Sequence, residues 1–145
     1  MKTLSIHPAT ADLTEMIERG TALHGHLGPF LVAGIRMGLL ALTLLESPGY
    51  FGVRATSEAG RKTPLSCLND GIQIGSGCTT GKGNLEIVDG GAPRARFETE
   101  SQYVVIELRN EIVQTFPGSD TMEKARELES LPIEELLTWT SPSSP

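Results

Sequence analysis

At 145 residues, 39% hydrophobic and 21% charged, the chain is long enough to bury the core of one domain and too apolar to stay disordered. Its net charge of −6 excludes a general electrostatic attraction for nucleic acid. The longest apolar run, residues 30–45, carries Arg36 and is short for a bilayer, and no secretory leader is visible. The reading is therefore a cytoplasmic protein with no membrane or nucleic-acid partner. In a reducing compartment its two cysteines read as thiols or ligands rather than a disulfide.

Thr10 is placed to cap a first helix running to about Leu23, with Leu13, Met16 and Ile17 as its apolar stripe. The stretch His24-Gly25-His26-Leu27-Gly28-Pro29 breaks it, and Pro29 suits the first turn of a second helix to about Leu45. That helix is apolar almost all round and should be central to the core. One small sheet would not cover it, so a homodimer is expected. Residues 51–58 alternate as a strand, residues 60–64 form a loop, and a third helix covers about Ser66 to Ile74. Strands follow at Asn84–Val88, Ala92–Glu98 and Tyr103–Leu108, the first two joined as an antiparallel hairpin through Asp89-Gly90-Gly91. Short helices are expected near Glu111, at Ser119–Glu129 and at Pro132–Trp139. The order argues an α+β fold: N-terminal helices packed on a mixed, mostly antiparallel sheet, with short C-terminal helices. Residues 1–140 form one domain, and residues 141–145 are a polar tail expected to be disordered.

The soft donors are concentrated in two stretches, with His24 and His26 in one and Cys67 and Cys78 in the other. Imidazole nitrogen and thiolate sulfur are the usual donors for zinc and its neighbours. On an irregular stretch two histidines spaced by one residue can face one metal; the alternative is two ordinary histidines at a helix corner. Cys67 and Cys78 are eleven residues apart, which on a continuous helix is roughly 16 Å. One zinc needs sulfurs within about 4 Å of each other, so a straight helix forbids sharing. Cys67 near the start of the third helix is expected to be the more reactive thiol, and Cys78 reads equally as a small buried residue.

The loop Gly75–Gly83 fails as a nucleotide loop. In register with Gly81-Lys82, the first glycine is replaced by Ser76 and the metal-binding hydroxyl by Gly83. It reads either as an anion cradle using Lys82 or as a tight turn. The deaminase signature and the nucleophile elbow are absent. Asp70 and Glu58 are the acid–base candidates near the cysteines. His7 reads as incidental.

At these residues the chain resembles the FmdE family, the E-subunit family of formylmethanofuran dehydrogenase. The matching strings are His24-Gly25-His26-Leu27-x-Pro29, Gly34-x-Arg36-Met37, Cys67-x-x-Asp70-x-Ile72-Gln73, Gly77-Cys78-Thr79-x-Gly81-Lys82-Gly83-Asn84-Leu85 and Asp89-x-Gly91, over about residues 20–110. The resemblance implies an α+β core that forms an intertwined dimer. With no cysteine after Cys78, the chain looks like the form without the C-terminal zinc finger. The family name reflects association with an enzyme of one-carbon metabolism and does not itself state an activity. The resemblance carries over His24, His26, Cys67 and Cys78 as metal ligands for zinc or another divalent metal. Cys67, Asp70 and Lys82 are catalytic candidates, and Gln73, Thr79, Thr80 and Asn84 ligand-binding ones. One departure stands out: Gly28 occupies a position where the family usually has cysteine. Two functions follow as expectations. One is a metal site with open coordination, acting on a small molecule or handling metal; the other is an accessory or regulatory dimer with a metal-free pocket.

Overall fold

The structure is a computed structural model describing residues 2–145. Its elements in chain order are α1 (Leu13–His24), α2 (Pro29–Leu45), β1 (Arg54–Ser57), α3 (Cys67–Ser76), β2 (Leu85–Ile87), β3 (Arg94–Glu98), β4 (Tyr103–Leu108), α4 (Asn110–Val113), α5 (Thr121–Ser130), α6 (Ile133–Leu136) and β5 (Leu137–Trp139). The α+β reading holds. Asp12 rather than Thr10 caps α1, its carboxylate accepting from the Glu15 N–H at 3.2 Å.

The sheet has the order β2-β1-β3-β4-β5, with β1 and β2 parallel and every other pair antiparallel. The expected hairpin of residues 84–88 with 92–98 does not form. β1 lies between those two strands, and the intervening loop wraps over its end, the Gly90 and Ala92 N–H groups both donating to the Glu58 carbonyl. A glycine-rich turn signal marks a reversal of direction, not which strand is paired after it. β5 falls inside the expected helix of residues 132–139, where pairing to the edge of β4 outweighs local helix preference. The polar tail continues that edge: Tyr103 and Ser143 exchange backbone hydrogen bonds of 2.8 and 3.0 Å.

α2 is the centre of the core, with eleven of its seventeen residues buried. Its apolar circumference is covered within the chain, by α3, α5, β4 and α1, so the sequence argument for a partner on that helix is removed. Arg36 crosses to α5, where its Nη1 donates to the Leu128 and Leu131 carbonyls at 2.8 and 2.5 Å. It thereby caps the end of α5 from a neighbouring helix, and burial holds its pKa below the ordinary arginine value.

The closest packing in the molecule joins α2 to α3 through facing glycines. A Cβ on Gly34 would lie 2.2 Å from the Leu68 carbonyl oxygen, and one on Gly71 2.2 Å from that of Leu31. Only residues without side chains permit this approach. The contact fixes the start of α3 beside the corner that joins α1 to α2, where both histidines lie.

Candidate metal centre

His24 is the last residue of α1, and Gly25 ends the helix at φ +100°, a conformation strained for any residue with a side chain. The turn folds His26 back so that the two imidazole centroids are 4.7 Å apart. Cys67 opens α3, with Asp70 on the same helical face three residues on. Asp70 reaches His24, accepting from Nδ1–H at 2.6 Å. That bond leaves Nε2 of His24 as the nitrogen with a free lone pair. The atom is buried and has no hydrogen-bond partner. A buried polar atom without a partner costs about 1–3 kcal/mol and calls for a reason.

A reason is at hand in the neighbours. One donor atom from each of His24, His26 and Cys67 lies within 4.8 Å of the others. Around a tetrahedral zinc, donors at 2.0–2.3 Å from the ion sit about 3.3–3.8 Å apart, so the group needs to close by roughly 1 Å. His26 is exposed and Cys67 half-buried, which gives the rings and thiol room to do so. Asp70 behind His24 is the carboxylate that metal-ligating histidines commonly use to fix ring orientation. The donor set fits a divalent transition metal.

The group opens into a cavity of about 390 Å³ walled by Phe30, Leu31, Pro64, Val113, Phe116 and Pro117, with Ser119 and Thr121 at its edge. Phe30 and Phe116 meet edge to face at 5.1 Å. Among the described residues no Asp, Glu, Lys or Arg lines it. Gly28 also lies on this wall. Its backbone is extended, φ −150°, and a Cβ there would stand 3.3 Å from His26 Cε1 and 3.4 Å from the Thr121 methyl. Any side chain at position 28 would therefore enter the donor group's own space.

The other expected site residues divide from this group. Cys78 follows the opposite end of ten-residue α3, is fully buried, and directs its thiol at the Val53 carbonyl, 3.6 Å away. It is not a member of the donor group. Lys82 donates its ammonium to the Gly77 carbonyl and the Thr79 hydroxyl at 2.7 and 3.0 Å. Gln73 accepts from the Thr80 N–H, and Asn84 accepts from the Thr79 N–H while donating to the Tyr50 and Val53 carbonyls. These polar groups are taken up in holding their own loop, the tight-turn alternative of the sequence. Glu58 is paired with Arg94 at 2.5 and 2.8 Å and stands apart from the thiols.

Cys67 does open a helix, but the low thiol pKa expected from that position does not follow. Burial first, then the Asp70 carboxylate, push its thiol above the ordinary value, and burial does the same to Cys78. The residues that sequence reasoning missed are the cavity walls at 113–121. That segment is a short helix and a turn, with no periodicity to announce what it faces.

An α+β domain with a His/Cys donor group at a helix corner is the class this architecture defines. The chain belongs to the FmdE family, described as "FmdE, Molybdenum formylmethanofuran dehydrogenase operon", whose sequence model matches residues 23–141. It is similar to a crystal structure of a tungsten formylmethanofuran dehydrogenase FmdE-like protein from Syntrophus aciditrophicus. That likeness has a TM-score of 0.70 at 20% identity, covering 98% of this chain and 77% of the other, and it shows the fold. The chain is also similar to a probable S-adenosyl-L-methionine-binding protein of Archaeoglobus fulgidus, 33% identical over 84 residues. The match takes in 53% of this chain and only 21% of that relative's length. Among the described residues no helix is long and apolar enough to cross a membrane.

Proposed function

We propose that this protein holds one divalent transition metal, zinc by donor type, through His24 Nε2, His26 and Cys67, and presents its open fourth position to the apolar cavity. The observation that carries this is the buried, unpartnered Nε2 of His24 with its other nitrogen bound to Asp70. When bound, the metal supplies a Lewis acid at the head of the cavity. The chain's own part is to orient the donors through Asp70, shield the site with Phe30 and Phe116, and leave room beside Gly28. The use is either chemistry on a small molecule or metal handling. Cys78, Lys82, Gln73, Thr79, Thr80 and Asn84 serve the fold in this reading.

Neither relative's ligand is carried over. S-adenosylmethionine would bring a sulfonium and a charged amino-acid head to a cavity with no charged lining residue. The operon in the family's description assigns no reaction to this chain. We also propose a homodimer, supported by exposed Leu23, Phe51 and Met122. A metal-free pocket in an accessory dimer is the second reading, favoured by glycine at position 28.

The test is metal per chain, by elemental analysis of protein purified without an affinity tag, for wild type, His24→Ala and Cys67→Ser. About one metal per wild-type chain, lost in both variants, is the expected result for a three-donor site. Equal and near-zero content in all three sinks the metal reading and leaves the pocket reading.

A further inference from the structure

The cavity's walls restrict what can sit at the open position. A divalent ion with the Cys67 thiolate and two imidazoles keeps one positive charge among directly bonded groups, the Asp70 carboxylate lying on the far side of His24. α2 begins at this cavity, with Gly28 through Leu31 all on its wall. The N-cap is Gly28, which has no side chain to bond the first-turn N–H groups, and no acidic residue stands in that turn. The positive end of the helix and its unsatisfied donors therefore add to the ion's field at the same point. Beyond that point the surroundings change. Phe30, Val113, Phe116 and Pro117 are apolar, and nothing charged offers a second anchor. A charge placed there would lose its hydration without compensation.

Resting on the metal reading proposed above, we infer that the site takes small molecules with a single monoanionic donor, such as a thiolate or carboxylate, on an uncharged apolar body of aromatic size. The donor completes the metal's coordination at the start of α2, and the body lies between Phe30 and Phe116. The preference is for apolar thiols and acids over those with a second charge.

Cobalt(II)-loaded protein, its cobalt counted per chain, tests this. It is titrated with phenylmethanethiol and with 3-mercaptopropionate, following the added sulfur-to-cobalt absorption and checking that cobalt is retained. Phenylmethanethiol should bind roughly tenfold tighter, the ratio expected from burying much of one phenyl ring. Phe116→Ala and Val113→Ala should each weaken it severalfold with cobalt content unchanged, and toluene should compete with it. Equal or reversed preference on cobalt-loaded protein, or indifference to both variants, overturns the ligand class and leaves the metal site standing. Failure to take up cobalt overturns the metal reading and this inference together.

Discussion

Gly71→Ala places one methyl where the structure has least space for it. The new Cβ would stand 2.2 Å from the Leu31 carbonyl oxygen and 2.8 Å from both the Gly34 Cα and the Ile35 nitrogen. All three atoms are backbone, so no rotamer change relieves the overlap, and α2 and α3 must separate by about 1 Å to restore ordinary contact. Overpacking of this kind costs ~3 kcal/mol at its upper end, and the gain from replacing glycine by alanine inside a helix returns ~1 kcal/mol. The net loss is about 2 kcal/mol, or roughly 4–8 °C in Tm for a domain near this size. The same separation carries Cys67 away from the histidines, so metal retention should fall with stability. Gly81→Ala is the control: nothing lies within 4 Å of its Cβ and its φ is not positive, so it should stay within about 0.5 kcal/mol of wild type. Urea denaturation of both variants makes the comparison. A Gly71→Ala protein as stable as Gly81→Ala would refute the helix contact and, with it, the way the donors are brought together.

Arg36→Met removes the cap on α5 and leaves two carbonyls without their donor, so it should cost about 2–4 kcal/mol by chemical denaturation despite the gain in hydrophobicity. Glu58 is held below the ordinary carboxylate pKa first by its hydrogen bond to Arg94. A lowered folded pKa stabilises above the unfolded value and is lost as pH falls through the folded one. Both side chains are about a third exposed, so Glu58→Gln should cost only ~0.5 kcal/mol at neutral pH, and unfolding curves of variant and wild type should converge as the pH drops below about 4. Gly28→Cys introduces a fourth donor into the space beside His26 and should slow zinc loss to a chelator by roughly tenfold or more, at the expense of the position proposed for ligand. Light scattering should give twice 15.5 kDa at micromolar concentration, and a monomer mass would remove the proposed dimer.

What the sequence disclosed was local. Helix boundaries at Pro29, the capped ends and the strand at Tyr103–Leu108 follow from periodicity and from residues with one conformational use. Non-local pairing did not follow. The insertion of β1 between β2 and β3 depends on a loop passing over Glu58, and the edge strand at Leu137–Trp139 depends on a partner about thirty residues away. The donor group was half legible. His24, His26 and Cys67 stood out by chemistry, but the aspartate that orients His24 and the cavity built by residues 113–121 are products of packing. Lys82 shows the converse: a conspicuous charge in a glycine-rich loop, spent on the Gly77 carbonyl. At Cys67 a helix start favours thiolate, but burial and Asp70 oppose it.

If His24, His26 and Cys67 share one metal, X-ray absorption at the zinc edge of tag-free protein reads their donor shell directly. Two nitrogen scatterers near 2.0–2.1 Å, one sulfur near 2.3 Å and one further light donor are expected, with the sulfur lost in Cys67→Ser and kept in Cys78→Ser. A shell of oxygen alone, or a sulfur that survives Cys67→Ser and vanishes with Cys78→Ser, would contradict the shared site.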